Sequence, residues 1–299
     1  MNLFKRVLKW SAVLTVILIF TAYPLFASGA EPNKVVKVVA AENFYGDIVK
    51  QVGGKLVNVT SILSNPNVDP HEYESSVNDA KAIAAASLVI ENGGGYDDWM
   101  DKLLAASPNN KRILLKGFDI ATSKLPDNEH IWYNVNNVQL IAKTVTNQLT
   151  KLDPADAGIF ASNFQTFVKG LDQIRQRITV LKGKCQGTPV GLTETIFLYQ
   201  TGPLGLKVLT PFEFQKAIAE GNDPPADTIV KAEQQIKSKA VKALIYNEQT
   251  VSKITTKLQN DAKAAGIPIV PVTETMPANK SYQSWMLDQL GALEKALER

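Results

Sequence analysis

The sequence predicts an α/β fold built on mainly parallel sheets, and three observations predict it. Short runs rich in Val, Ile and Leu recur along the chain and alternate with segments of helical periodicity. Several of these runs stop at glycine, as buried strands do where they give way to loops. After one unusually long helical stretch the alternation resumes, so both halves of the chain follow the same plan. The chain has 299 residues and is 45% apolar, enough for two lobes or one large domain.

The first thirty residues stand apart from that plan. Lys5, Arg6 and Lys9 form a basic stretch, an apolar run covers residues 10–22, and small residues Ala27, Ser28, Gly29 and Ala30 precede Glu31. This is the pattern of a cleaved signal peptide, and the apolar run is short for a membrane span, which needs ~20 residues. The one cysteine, Cys185, is far from the cut. A lipid anchor needs a cysteine there, so the mature chain is expected to be free in a periplasm. With only one thiol it has no internal disulfide.

The elements follow in order. Residues 35–41 (VVKVVAA) read as a buried parallel strand. Residues 44–52 read as a helix through Phe44, Ile48 and Val52, stopped by Gly53-Gly54. A strand over 56–63, an Ala-rich helix over 77–86, a strand over 88–92 ending at Gly93-Gly94-Gly95, and a strand over 112–116 ending at Gly117 complete the first half. A helix over 137–152 carries Val138, Ile141, Val145 and Leu149 on one face. Asp153-Pro154 then opens a longer one, with Phe160, Phe164, Phe167, Leu171, Ile174, Ile178 and Leu181 along a single seam. Such a helix is long for an α/β lobe and suits a stiff strut between two of them. Strands are expected at 190–193, 243–247 and 267–273, and helices at 227–238, 251–265 and 282–297.

Charge excludes some functions. The leader holds three of the 32 Lys and Arg residues and none of the 29 Asp and Glu, so the remaining chain is formally neutral. That gives no electrostatic case for nucleic acid or an anionic membrane as partner.

Histidine is the informative residue because there are only two, His71 and His130, each in a polar loop that follows a predicted strand. A lone loop histidine is ordinarily an exposed bystander. Here two carboxylates also follow strands, Glu194 after 190–193 and Glu274 after 267–273. Ligands of open α/β sheets bind beyond the carboxyl ends of strands. The four donors, two from each half, would meet in the cleft where small ligands usually bind. Two neutral imidazoles and two carboxylates around a divalent cation are formally neutral, which offsets the cost of burying charge.

These residues sit in recognisable motifs. Asp69-Pro70-His71-Glu72-Tyr73-Glu74 matches Asp-Pro-His-x-(Tyr/Phe)-Glu, residues 92–99 match Asn-Gly-x-x-x-(Asp/Glu)-x-Trp, and His130-Ile131-Trp132 fits a second histidine motif. With Ala40-Ala41-Glu42-Asn43-Phe44-Tyr45-Gly46-Asp47-Ile48 at the start, the chain resembles the zinc/manganese solute-binding proteins of ABC importers, the TroA/ZnuA-like group of cluster A-I, over nearly its whole mature length. The resemblance implies two α/β lobes joined by one long rigid interlobe helix: a signal peptide over 1–30, an N-terminal lobe over 31–152, the linking helix over 153–182 and a C-terminal lobe over 183–299. It implies one divalent transition metal, zinc or manganese, as cargo, held by His71, His130, Glu194 and Glu274. It implies delivery to an ABC permease in the inner membrane by a monomer that performs no catalysis and has no membrane span once mature. Glu194 stands where manganese-type members have Glu and zinc-type members often have His. Glu274 stands where most members have the shorter Asp. The His- and acid-rich loop of many zinc-type members is missing between Gly117 and His130.

Two rivals make different demands. A siderophore, haem or cobalamin carrier needs a wide cleft lined by Arg or aromatics and has no need of four metal donors. A periplasmic metallohydrolase needs an open coordination position and a general base. Glu72 and Glu129 are the candidate bases, and each adjoins a histidine in sequence.

Overall fold

Two four-stranded sheets, every pairing parallel, form the frame. The computed structural model describes residues 35–65, 68 and 73–298; the expected signal peptide and His71 lie outside the described residues. The first sheet comprises β1 (Val36–Glu42), β2 (Val57–Leu63), β3 (Leu88–Glu91) and β4 (Ile113–Lys116), in the order β2-β1-β3-β4. Val38 stands opposite Val59 on one side and Leu88 on the other. The second comprises β5 (Pro189–Leu192), β6 (Lys207–Val208), β7 (Ala243–Asn247) and β8 (Ile269–Val272), in the order β6-β5-β7-β8. Each sheet starts with an inner strand, places its second strand to one side and its third and fourth to the other. Each therefore has a switch point between its first and third strands, β1/β3 and β5/β7, where the loops that follow diverge and leave room for a ligand.

Helices cover the sheets. The first half carries α1 (Asn43–Gly53), α2 (Val77–Ala85), α3 (Trp99–Ala106), α4 (Gly117–Ile120) and α5 (Val135–Leu152). Phe44, Ile48 and Val52 are buried on α1 as their spacing predicts, and Val138, Ile141, Val145 and Leu149 are buried on α5. The long helix α6 runs Ala157–Cys185, 29 residues or about 43 Å at the usual rise, after a single 3-10 turn at Pro154–Asp156. It packs on α1 and α5 of the first half and on two helices of the second, α7 (Leu198–Leu204) and α11 (Tyr282–Leu297). Its buried positions are Phe160, Phe167, Leu171, Ile174, Leu181 and Cys185; Phe164 and Ile178 of the predicted seam are only partly covered. The second half also carries α8 (Phe212–Ala219), α9 (Ala226–Lys237) and α10 (Lys253–Ala264). Ser76, Ser252 and Ser281 each open a helix with a reciprocal capping box, on α2, α10 and α11.

One hydrophobic cluster joins the two halves. It runs from Val38 and Ala40 of β1 through α5 and α6 to Leu192, Ile245 and Val270 of the second sheet. At its centre Phe44 stacks on Trp132 at 4.7 Å between ring centroids, and Tyr133 meets Trp285 at 6.0 Å and Phe197 at 6.1 Å. Polar ties cross the same seam. Asn43 bonds both backbone groups of Met276, and the Tyr282 hydroxyl donates to Trp132 O at 2.7 Å. The described residues form a single compact unit.

Candidate metal centre

Three donors meet where the strands of both sheets end. His130, Glu194 and Glu274 each offer a ligand atom, and these atoms lie within 4.8 Å of one another. All three side chains are buried, at no more than 1% exposure. His130 belongs to the first half, Glu194 follows β5 by two residues, and Glu274 follows β8 by two.

The imidazole is oriented by Asn128. The Asn128 amide nitrogen donates to Thr195 O at 2.8 Å, which turns its Oδ1 toward the histidine. That oxygen accepts from the His130 backbone N–H and lies 3.0 Å from Nδ1. An amide oxygen only accepts, so Nδ1 carries the proton and the lone pair is on Nε2. A carbonyl behind a ligating histidine is the usual outer-shell arrangement of metal sites. Tyr199 secures the same loop by donating to Asn128 O and accepting from Leu125 N.

The two carboxylates are held differently. Glu274 Oε1 accepts from Asn247 Nδ2 at 2.6 Å and Oε2 accepts from the Tyr96 hydroxyl at 3.0 Å. Neither oxygen of Glu194 has a hydrogen-bond donor in good geometry among the described residues. Burial, then the charge of Glu274, pushes the Glu194 carboxyl well above its ordinary value, with Thr250 and Asn247 offsetting only part of the rise. A buried carboxyl without a donor costs free energy unless a proton or a cation satisfies it. A cation shared with His130 and Glu274 would replace that proton.

Other acids crowd the ends of the first sheet. Glu42, at the end of β1, is wholly buried, and burial followed by the neighbouring Asp97 charge pushes it well above the carboxylate range. Asp97 accepts from Asn92 N and Gly93 N, each at 2.7 Å, and so fixes the turn after β3. That turn needs glycine: φ is +71°, +69° and +92° at Gly93, Gly94 and Gly95, and a Cβ on Gly94 would stand 2.7 Å from the Phe118 ring. Glu91 pairs with Lys116 at 2.7 Å. The two partners respond in opposite senses. Lys116, a third exposed, is held more firmly protonated, while burial outweighs the lysine at Glu91 and pushes it up to about 7.

The structure thus brings together three of the four residues expected from sequence, and the fourth, His71, lies outside the described residues. Val68, three positions before it, accepts from Gln249 Nε2 at 3.1 Å, and Gln249 Oε1 in turn accepts from Glu274 N. Glu129 Oε1 is 3.9 Å from His130 Nε2. Tyr96, Asn128 and Asn247 were not legible as site residues: each acts through a bond to a ligand candidate rather than through a metal-binding side chain of its own. A surface groove of about 760 Å³ lined by Lys239, Lys242, Lys263 and Lys295 lies at the opposite, amino-terminal ends of β7 and β8.

Comparison with known proteins identifies a family and a fold. The family described as "Zinc-uptake complex component A periplasmic" matches residues 38–296. The manganese ABC transporter substrate-binding lipoprotein PsaA of Streptococcus anginosus is 29% identical over 182 residues, covering 56% of this chain and 59% of the relative. A metal ABC transporter substrate-binding lipoprotein of Lactococcus lactis is 24% identical over 287 residues, 86% of this chain and 88% of its own. The chain thus spans little more than half the length of PsaA in that match. The periplasmic zinc-binding protein TroA of Treponema pallidum superposes with a TM-score of 0.73 at 18% identity, over 88% of this chain and 99% of TroA, and so shares the fold.

One expectation is corrected by these relatives. A free periplasmic protein, released by a cleaved signal peptide that lacks a lipobox, was inferred from the distance between Cys185 and the cut. Both curated relatives are named lipoproteins, which a lipid holds at a membrane. The lack of a cysteine in the leader therefore does not establish an unanchored protein. No helix among the described residues is long and apolar enough to cross a membrane.

Proposed function

This chain belongs to the zinc-uptake complex component A family, and from that premise we propose that it captures a divalent transition metal, zinc or manganese, between two lobes and delivers it to an ABC importer. The observation that carries the reading is the convergence of His130, Glu194 and Glu274 within 4.8 Å, wholly buried and drawn from both halves of the chain. In this reading His71, which stands in the Asp-Pro-His motif, is the fourth ligand. With four protein donors the coordination shell is closed to a substrate water, so the protein holds its cargo and does no chemistry on it. PsaA and its relatives are named as the substrate-binding members of ABC transporters, which supports a permease as partner. The working unit is a monomer, with lobes over 31–152 and 183–299 on either side of the linking helix over 153–182.

Imidazole suits zinc and carboxylate suits manganese, so two of each leave both ions eligible. Competition titration of the chelator-stripped protein with zinc and manganese, read with elemental analysis, tests the proposal. One tightly held ion per chain is the expected result. A protein that takes up neither ion contradicts it.

A further inference from the structure

We propose that Tyr96 is a specificity-determining residue of this centre, holding Glu274 to one-oxygen coordination and thereby favouring zinc over manganese; this rests on the metal-capture reading above. Tyr96 belongs to the first half of the chain and is 1% exposed, and its hydroxyl donates to Glu274 Oε2 of the second half at 3.0 Å. Asn247, from the second half, donates to the other oxygen at 2.6 Å. Each oxygen of the carboxylate is therefore engaged by a neutral donor from a different side.

The phenol is held in place by its surroundings. The three left-handed glycines bring the chain round after β3, and Asp97 pins that turn through the backbone of Asn92 and Gly93. The Tyr96 ring packs against Trp132 at 4.7 Å and meets the His130 ring edge-on at 6.0 Å. Moving the hydroxyl off Glu274 would mean moving this packed wall.

The consequence for an ion follows from coordination chemistry. Zinc is satisfied by about four ligands, one atom from each. Manganese, a harder ion that reaches about six ligands with oxygen donors, gains more from a carboxylate that chelates through both oxygens. With Oε1 as the ligating atom, chelation turns Oε2 toward the ion and weakens its bond to Tyr96. Zinc loses nothing by that bond, whereas manganese does.

The test is Tyr96→Phe, which removes the hydroxyl and keeps the ring. Zinc and manganese affinities of wild type and Y96F are measured by competition titration, and X-ray absorption on the manganese-loaded proteins counts the nearest oxygen neighbours. The expected result is a manganese-to-zinc affinity ratio about tenfold higher in Y96F, the size of one hydrogen bond to a charged group, with added oxygen coordination around manganese. Equal loss for both ions, as a purely structural role would give, leaves the ratio unchanged and overturns the proposal. Should Y96F fail to fold, a crystal structure of manganese-loaded wild type decides: a chelating Glu274 around manganese overturns the proposal and a one-oxygen Glu274 supports it. A wild type that binds neither ion removes the capture reading itself, whereas a wild type that binds both with Y96F unchanged removes only the role of Tyr96.

Discussion

The two sheets share a strand order and both end in buried acids, but these acids are partnered differently. After β1 and β3, Glu91 is paired with Lys116 and Asp97 accepts from two backbone amides. After β5, Glu194 meets no donor in good geometry among the described residues. Glu42 is the intermediate case, with no donor in good geometry among the described residues but set beside Asp97. The same place in a fold can thus serve as internal scaffolding or as a binding site. What separates the two is whether the protein supplies the carboxylate's partner or leaves it to come from outside.

The largest test of that contrast is a pair of isosteric changes. Glu194→Gln is expected to weaken zinc binding by more than about 100-fold, beyond the 10–100-fold typical of outer-shell changes. Glu91→Gln is expected to leave it within about twofold, because its partner Lys116 lies outside the centre; equal losses in isothermal titration would break the comparison. A smaller effect is expected at Asn128, whose Oδ1 lies 3.0 Å from His130 Nδ1 and whose amide nitrogen ties this loop to Thr195. Asn128→Ala should cost about 10–100-fold in affinity and also lower the thermal midpoint, because it removes a buried partner of both His130 N and Thr195 O; an unchanged affinity would mean the imidazole is oriented by something else.

The smallest effect is one of pH. Glu91 is pushed up to about 7 from 4.5, so between those values the folded chain binds more protons than the unfolded one. Its contribution to stability is therefore fully present below about pH 4.5 and is lost as pH rises through about 7. Burial shifts Glu42 and Glu194 in the same direction. The metal-free protein should lose stability from pH 5 to pH 8, and Glu91→Gln should flatten that slope by on the order of 1–2 kcal/mol, a figure reduced for screening at the partly exposed Lys116. Chemical denaturation of both proteins at the two pH values measures it; parallel slopes would show that Glu91 does not titrate in this range.

Much of this was readable from the chain because the relevant signals were local. Residues 243–247 and 282–297 are predicted over the bounds they adopt, since apolar runs and caps mark them within a few residues. Elements with weak local signals were missed. β6 has two residues, α7 contains Pro203, and α3 and α8 have eight residues each. The site divides the same way. His130, Glu194 and Glu274 could be singled out as candidates because a rare histidine in a loop and charged residues just after strands are visible one at a time. The Tyr96 bond to Glu274 spans 178 positions, and no periodicity or motif announces that those two residues touch.

The aromatic seam under the metal centre has a mechanical consequence. Phe44, Trp132, Tyr133, Phe197 and Trp285 interlock across the two halves and are almost fully buried. Each ring of this size hides ~150–250 Å², so swinging the jaws wide would cost about 4–6 kcal/mol for every ring laid bare to water. For the capture role proposed above, unloading is therefore expected to proceed by slackening the rim around the donors while the keel below stays shut, and the proposed permease would need to supply only enough work to disturb a few hydrogen bonds.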